Sequence, residues 1–112
     1  MASFNNEVKC PITATLGYIG GRWKTIILYF LSSGKKRFGQ ISVRLPTISK
    51  KVLAQQLKEL ERDGLILRKQ YKGLHPRVEY SLSELGKSLS SVLKEMANWG
   101  KENVLANSRV GE

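Results

Sequence analysis

Cysteine is almost missing. Cys10 is the one thiol in 112 residues, so no disulfide can close within the chain, and a reducing cytoplasm is the simplest location. Histidine is as scarce: His75 stands alone with no second histidine or cysteine nearby, which removes any metal-ligand spacing. There is no glycine-rich phosphate loop and no evident cleft with paired acids, so neither an enzyme nor a small-molecule cofactor is expected. No apolar run reaches the roughly 18 residues that span a bilayer, and no signal-peptide pattern opens the chain, so no membrane partner is expected. Acids are the last shortage. Nine Asp and Glu stand against 19 Lys and Arg, a formal net charge of +10. That imbalance asks for an anionic partner without choosing among DNA, RNA and membrane.

What is present is enough for one domain over residues 1–112, since 41% hydrophobic residues fill one core but hardly two. The positive charge is segregated. From Lys35 to Arg77 there are 12 basic residues and three acidic ones, Glu59, Glu61 and Asp63, and nearly all of the excess lies there. Solubility alone does not require such concentration.

Hydrophobic spacing and breakers order the elements. Pro11 suits the first position of a helix bearing Ile12, Leu16 and Ile19 on one face, and Gly20-Gly21 interrupts it. A second helix is expected from Trp23 to about Leu31, mostly buried through Ile26, Ile27, Leu28, Phe30 and Leu31, with Ser33-Gly34 ending it. The run Lys35-Lys36-Arg37 leads into a short amphipathic piece, Phe38 to Leu45, which Pro46 breaks. The next helix opens near Ser49, a good N-cap, and stops at Asp63-Gly64. Leu65 to Tyr71 reads as a strand, with Val78, Tyr80 and Leu82 alternating in its partner and residues 72–76 forming the turn. Ser81 with Glu84 fits a capping box for a last helix, and Ser83 is an equal alternative. That helix carries Leu85, Leu89, Val92, Met96 and Trp99 as one stripe, and residues 106–112 read as a flexible tail. The expected class is mainly α with a small β-hairpin (α+β). In architecture it is a winged helix-turn-helix with additional N- and C-terminal dimerisation helices.

The helix after Ser49 carries the sharpest signal. Leu53, Leu57 and Leu60 form its inner stripe, and at about 100° per residue Lys51, Gln55, Lys58 and Arg62 lie opposite. Lys50 and Lys51 fill its first turn, where the helix dipole disfavours each cation by roughly 0.3–1 kcal/mol. Stability alone would place acids there, so an external anion is the natural reward. A helix fits the DNA major groove and a hairpin can rest on the adjoining backbone.

Six stretches, in order, carry a family resemblance: Cys10-Pro11, Ile19-Gly20-Gly21-Arg22-Trp23-Lys24, Arg37-Phe38, Ile48 to Leu53, Gln56 to Leu65, and Pro76 to Leu82. Together they resemble the HxlR-type bacterial transcriptional regulators over about residues 10–100. The resemblance implies a homodimeric, cytoplasmic winged-helix regulator distantly related to the MarR type, acting as repressor or activator without enzyme activity.

Candidate site residues follow. Lys51 and Gln55, near the N-terminal end of the reading helix, suit base edges, while Ser49, Lys50 and Lys58 extend the double-stranded DNA contact and Arg62 is as well placed for a surface ion pair. In the wing and its flank, Lys72, His75 and Arg77 with Lys35, Lys36 and Arg37 suit phosphates, the alternative being ordinary solvent exposure. Phe38 is expected in the core. Cys10, near a helix start and beside Lys9, is placed to have a stabilised thiolate. By the resemblance, a cysteine at this position senses electrophiles or oxidants in several members; the alternative is packing under a dimer helix. Ile12, Leu16, Ile19, Leu89, Val92, Met96 and Trp99 are the expected homodimer interface. The competing function is a nucleic-acid module without operator preference, RNA-binding or architectural, against which stands the lack of interleaved exposed aromatics.

Overall fold

The computed structural model describes residues 10–106. Lys9 and the tail residues 107–112 lie outside them, and Ala106 is still helical. Helix α1 runs Pro11–Ile19 and α2 Lys24–Leu31. A two-residue strand, β1 (Lys36–Arg37), precedes α3 (Phe38–Arg44), whose start is fixed by Gln40 Oε1 accepting from the Arg37 N–H at 2.8 Å. Helix α4 spans Lys50–Arg62, and Ser49 Oγ accepts from the Val52 N–H at 3.1 Å as its cap. Its end is closed by two hydrogen bonds, Gly64 N–H to Glu61 O at 3.0 Å and Leu65 N–H to Leu60 O at 2.9 Å. Both need Gly64 at φ 80°, a backbone region that glycine occupies at no steric cost.

Strands β2 (Ile66–Tyr71) and β3 (Arg77–Leu82) form the expected hairpin, in register from Ile66 opposite Leu82 to Tyr71 opposite Arg77. The sheet, however, has three strands in the order β1-β3-β2, with Lys36 opposite Tyr80 and Arg37 opposite Glu79. Two basic residues show no alternation, so β1 left no mark in the pattern. Of the two candidate caps, Ser83 is the one used: its Oγ accepts from the Gly86 N–H at 3.0 Å and donates to the Gly64 carbonyl at 2.6 Å, while Ser81 lies within β3.

The single last helix read from the leucine stripe is two: α5 (Glu84–Ser88) and α6 (Ser90–Gly100), with Lys101–Leu105 continuing as a π-helical turn. Two local causes coincide at the break. Gly86 lies against the Leu65 carbonyl so closely that an added Cβ would sit 2.1 Å from its oxygen, which pins α5 to the sheet. Ser88 Oγ meanwhile donates to the Leu85 carbonyl at 2.5 Å, a side-chain bond that competes with the helical ladder.

The core lies between α2, α3, α4 and the inner face of the sheet. Leu53, Leu57 and Leu60 are at most 1% exposed and meet Ile27, Leu28, Ile41, Ile66 and Tyr80 in one cluster. Each such side chain contributes roughly 1.5–3 kcal/mol of burial. Phe38 packs against this cluster as expected, but Ile26, expected inside, is exposed beside Tyr29. The radius of gyration is 15.7 Å, against about 13 Å for a compact chain of this length.

Candidate nucleic-acid interface

The α3–turn–α4 unit sets its second helix with the leucine stripe inward, which leaves Lys51, Gln55 and Lys58 exposed on the far side. Among the described residues Lys50, Lys51 and Lys58 make no ion pair, so their charge faces solvent. Arg62 differs. Its Nε meets Asp63 Oδ1 at 3.3 Å, the surface ion pair weighed from the sequence. Ser49 spends its oxygen on the cap, which leaves its hydroxyl hydrogen for an outside acceptor.

Gln55 has a partner within the protein. Its Nε2 donates to Glu59 Oε2 at 3.4 Å, and Glu59 Oε1 is held by Lys24 Nζ at 2.7 Å. Lys24, on α2, is 6% exposed and is the one buried charged residue among those described. Its hydrogen bond, ahead of its charge and the Gln55 contact, holds the Glu59 carboxyl below the usual carboxylate range despite partial burial. Neither Lys24 nor Glu59 was singled out in the sequence. A lone lysine opening the apolar run Trp23 to Leu31 is the signal that could have found it.

The wing carries its cations differently. Lys72 and His75 are exposed at the tip, around Gly73 at φ 105°. Arg77 is engaged: its Nε donates to Glu79 Oε2 at 3.0 Å, another guanidinium nitrogen donates to the His75 carbonyl at 3.2 Å, and its plane lies 3.9 Å over the Tyr71 ring. Lys35 Nζ reaches the same Glu79 carboxylate at 3.5 Å. Lys36 bonds Ser33 Oγ and the Gly34 carbonyl, both at 3.1 Å, and covers the Phe30 ring. Arg37 is exposed on the strand between them. The Arg77 hydrogen bond, ahead of the attraction of Lys35, holds the Glu79 carboxyl below its ordinary range. Glu79 is thus a neutralising hub, and Arg68 and Lys69 are further exposed cations on β2 that the sequence reading passed over.

Cys10 is exposed at the N-cap of α1. The backbone amide of Thr13, then its hydroxyl and then the Ile12 amide hold the thiol below its ordinary pKa. These are loose contacts, since no cap hydrogen bond closes on the sulfur. The expected interface residues divide. Ile12, Leu16, Val92, Met96 and Trp99 are all exposed, but Ile19 is 3% exposed inside the chain's own core and Leu89 packs against that core. The physical reason is position. Ile19 is the last residue of α1, where the helix meets the body, and Leu89 sits at the break between α5 and α6.

A helical pair followed at once by an antiparallel wing is a winged helix-turn-helix, the fold of a class of transcriptional regulators. The chain belongs to the HxlR-like helix-turn-helix family, whose sequence profile matches residues 18–108. It is 50% identical over 93 residues to YdeP of Bacillus subtilis strain 168, an HTH-type transcriptional regulator, covering 83% of this chain and 73% of that protein. Among solved structures, the redox regulator HypR in its oxidized form superposes with a TM-score of 0.80 at 44% identity, covering 84% of this chain and 97% of HypR. The quinone-bound form of YodB from B. subtilis superposes with a TM-score of 0.69 at 35% identity, covering 83% of this chain and 99% of YodB. No helix among the described residues is long and apolar enough to cross a membrane.

Proposed function

We propose that the chain is a cytoplasmic, homodimeric transcriptional regulator that reads an inverted repeat in double-stranded DNA. Residues 1–112 act as one domain. Lys51 and Gln55 read base edges in the major groove, with Ser49, Lys50 and Lys58 on the surrounding backbone. Lys72 and His75 lead the wing contact, Lys35, Lys36 and Arg37 flank it, and Arg77 supports the wing through Glu79 more than it touches phosphate. The observation that carries the reading is the face of α4 on which Lys50, Lys51 and Lys58 make no ion pair among the described residues, together with the exposed Lys72 of the wing tip. Two copies joined through Ile12, Leu16, Val92, Met96 and Trp99 place two reading helices about 10 bp apart, or a multiple of it. One such helix alone makes too few base contacts for useful specificity.

Cys10 is the sensor in this reading. Its stabilised thiolate adds to a quinone carbon, forming a C–S bond while the ring takes up the proton. An oxidant such as hypochlorite instead converts it to sulfenic acid. With one thiol in the sequence, any disulfide joins two subunits or a small thiol. The likeness to the redox regulator HypR and to the quinone-bound form of YodB supports this assignment.

The test is an anisotropy titration of the native dimer on its own promoter and on scrambled duplex, before and after quinone. Strong preference for the promoter, lost on treatment and retained in Cys10→Ser, is expected. Equal affinity for the two duplexes rejects operator reading, and tighter binding to single-stranded RNA favours the non-operator module. An unaltered quinone response in Cys10→Ser removes the sensor.

A further inference from the structure

Lys24 occupies a costly place for a lysine. It is the first residue of α2, where the helix dipole opposes a cation, and it is removed from water. Burying a charge is tolerated only with a well-placed partner, and a hydrophobic residue of similar volume would often serve stability as well or better. The pair with Glu59 is therefore weak evidence for stability and stronger evidence for a geometric task. Its geometry says which. The two oxygens of one carboxylate are divided between Lys24 Nζ at 2.7 Å and Gln55 Nε2 at 3.4 Å. Gln55 is exposed on the α4 face beside Lys51 and Lys58, whereas Glu59 lies one turn further along, towards α2.

We infer that Lys24 and Glu59 are positioning residues that preset the Gln55 amide for adenine and against guanine. The inference rests on Gln55 being a base reader, as proposed above. A carboxylate only accepts, so it takes one N–H of the amide and fixes which end of the group faces it. The carbonyl and the second N–H remain. Adenine offers an N6 donor and an N7 acceptor, which this remaining pair matches, while guanine offers O6 and N7, two acceptors. One free N–H cannot satisfy both. A glutamine released from Glu59 turns freely, presents both amide hydrogens, and tolerates guanine. Lys24 is the fixed point: buried on another helix, it stops the Glu59 carboxylate from following Gln55.

The experiment selects bound duplexes from a random pool with the full-length dimer, comparing wild type, Gln55→Ala, Glu59→Ala, Lys24→Met and Lys24→Arg. Titrations of the selected operator and its adenine-to-guanine variant then give the discrimination. Gln55→Ala is expected to flatten one base pair per half-site, with discrimination falling on the order of tenfold. Glu59→Ala and Lys24→Met are expected to admit guanine at that same base pair and leave the others sharp, while Lys24→Arg restores the preference. The Gln55→Ala/Glu59→Ala double variant is expected to be no flatter than Gln55→Ala. A merely structural role would lower affinity at all positions together. If Gln55→Ala flattens a position that Glu59→Ala leaves sharp, base reading stands and the positioning role is overturned. If Gln55→Ala flattens none, base reading itself fails and the inference with it. Glu59 is at the surface edge, so Glu59→Ala decides the matter even if Lys24→Met does not fold.

Discussion

Helices α4 and α6 are both amphipathic, and they face opposite ways in chemical terms. On α4 the apolar stripe is sealed, with Leu53, Leu57 and Leu60 at 0%, 1% and 0% exposure, and the polar side carries Lys50, Lys51 and Lys58 without acidic partners among the described residues. On α6 only Leu93 is buried, while Val92, Met96 and Trp99 stand 45%, 52% and 63% exposed. One helix spends its apolar side within the chain and leaves its charge unanswered; the other leaves its apolar side unanswered. Exposed large apolar side chains grouped on one helix mark an interaction surface more often than a monomer's ordinary face. Two unanswered surfaces of contrasting chemistry imply two kinds of partner, a polyanion for α4 and an apolar face for α6.

Reversing the chemistry of α6 tests this most severely. Trp99→Asp puts a charge at the most exposed residue of the α6 stripe and is expected to convert dimers to monomers by light scattering. Operator affinity then falls by about a thousandfold or more, towards the non-specific level. A variant that remains dimeric contradicts the interface assignment. The two sides of α4 separate next. Leu57→Ala, on the sealed side, is expected to lower unfolding free energy by about 2–5 kcal/mol in a denaturant titration, with DNA affinity kept while the fold persists. Lys51→Ala, on the open side, is expected to raise the melt slightly, because it removes a cation from the first turn of the helix, and to cost roughly 1–3 kcal/mol per half-site in operator binding. If Lys51→Ala lowers stability and spares binding, the two faces have been assigned the wrong way round.

The wing is an intermediate case, rich in cations yet largely self-neutralised through Glu79. Removing that acid in Glu79→Gln frees Lys35 and Arg77 and is expected to raise non-specific DNA affinity modestly while loosening the wing. The pH dependence has a definite sign. The hydrogen bond from Arg77 depresses the folded pKa of Glu79, so its stabilisation is complete above the unfolded carboxylate value of about 4.3 and is lost as pH falls through the folded value. Melting temperature is therefore expected to fall between neutral pH and pH 3 by slightly more in wild type than in Glu79→Gln. Parallel curves would show that Glu79 holds nothing.

Most of the fold was legible because its signals are local. Ser49 and Gly64 bound α4, Pro11 opens α1, and the alternation of Val78, Tyr80 and Leu82 sets the wing's register. The charged face of α4 was legible for the same reason, being the complement of a leucine stripe. What stayed hidden depends on partners distant in sequence. Strand β1 exists only because β3 offers it an edge. The break at Leu89 depends on Gly86 meeting Leu65, and the roles of Glu59 and Glu79 depend on cations that the fold brings to them. Counting charge along the chain therefore overstated the available footprint: Lys35 and Arg77 are part of it in number but are tied to Glu79 in space.

The smallest effect concerns the start of α1, the exposed counterpart of the well-sealed α4 cap. Ser49 Oγ closes on Val52 as a cap should, whereas Cys10 has no cap hydrogen bond and its thiol is held low by the Thr13 amide first, then the Thr13 hydroxyl, then the Ile12 amide. Iodoacetamide alkylation of Cys10, followed against pH, should therefore have its inflection below that of an unperturbed thiol. Thr13→Val deletes only the second of those influences, so the inflection should rise part of the way and remain below the ordinary value. Thr15→Val is the matched control, because the Thr15 hydroxyl is committed to the Pro11 carbonyl at 2.9 Å and does not act on the sulfur. Coincident profiles for wild type and Thr13→Val would show that the helix start alone sets the thiol. A shift in Thr13→Val absent from Thr15→Val ties reactivity to one hydroxyl, because the thiolate fraction at neutral pH governs how fast any electrophile is captured.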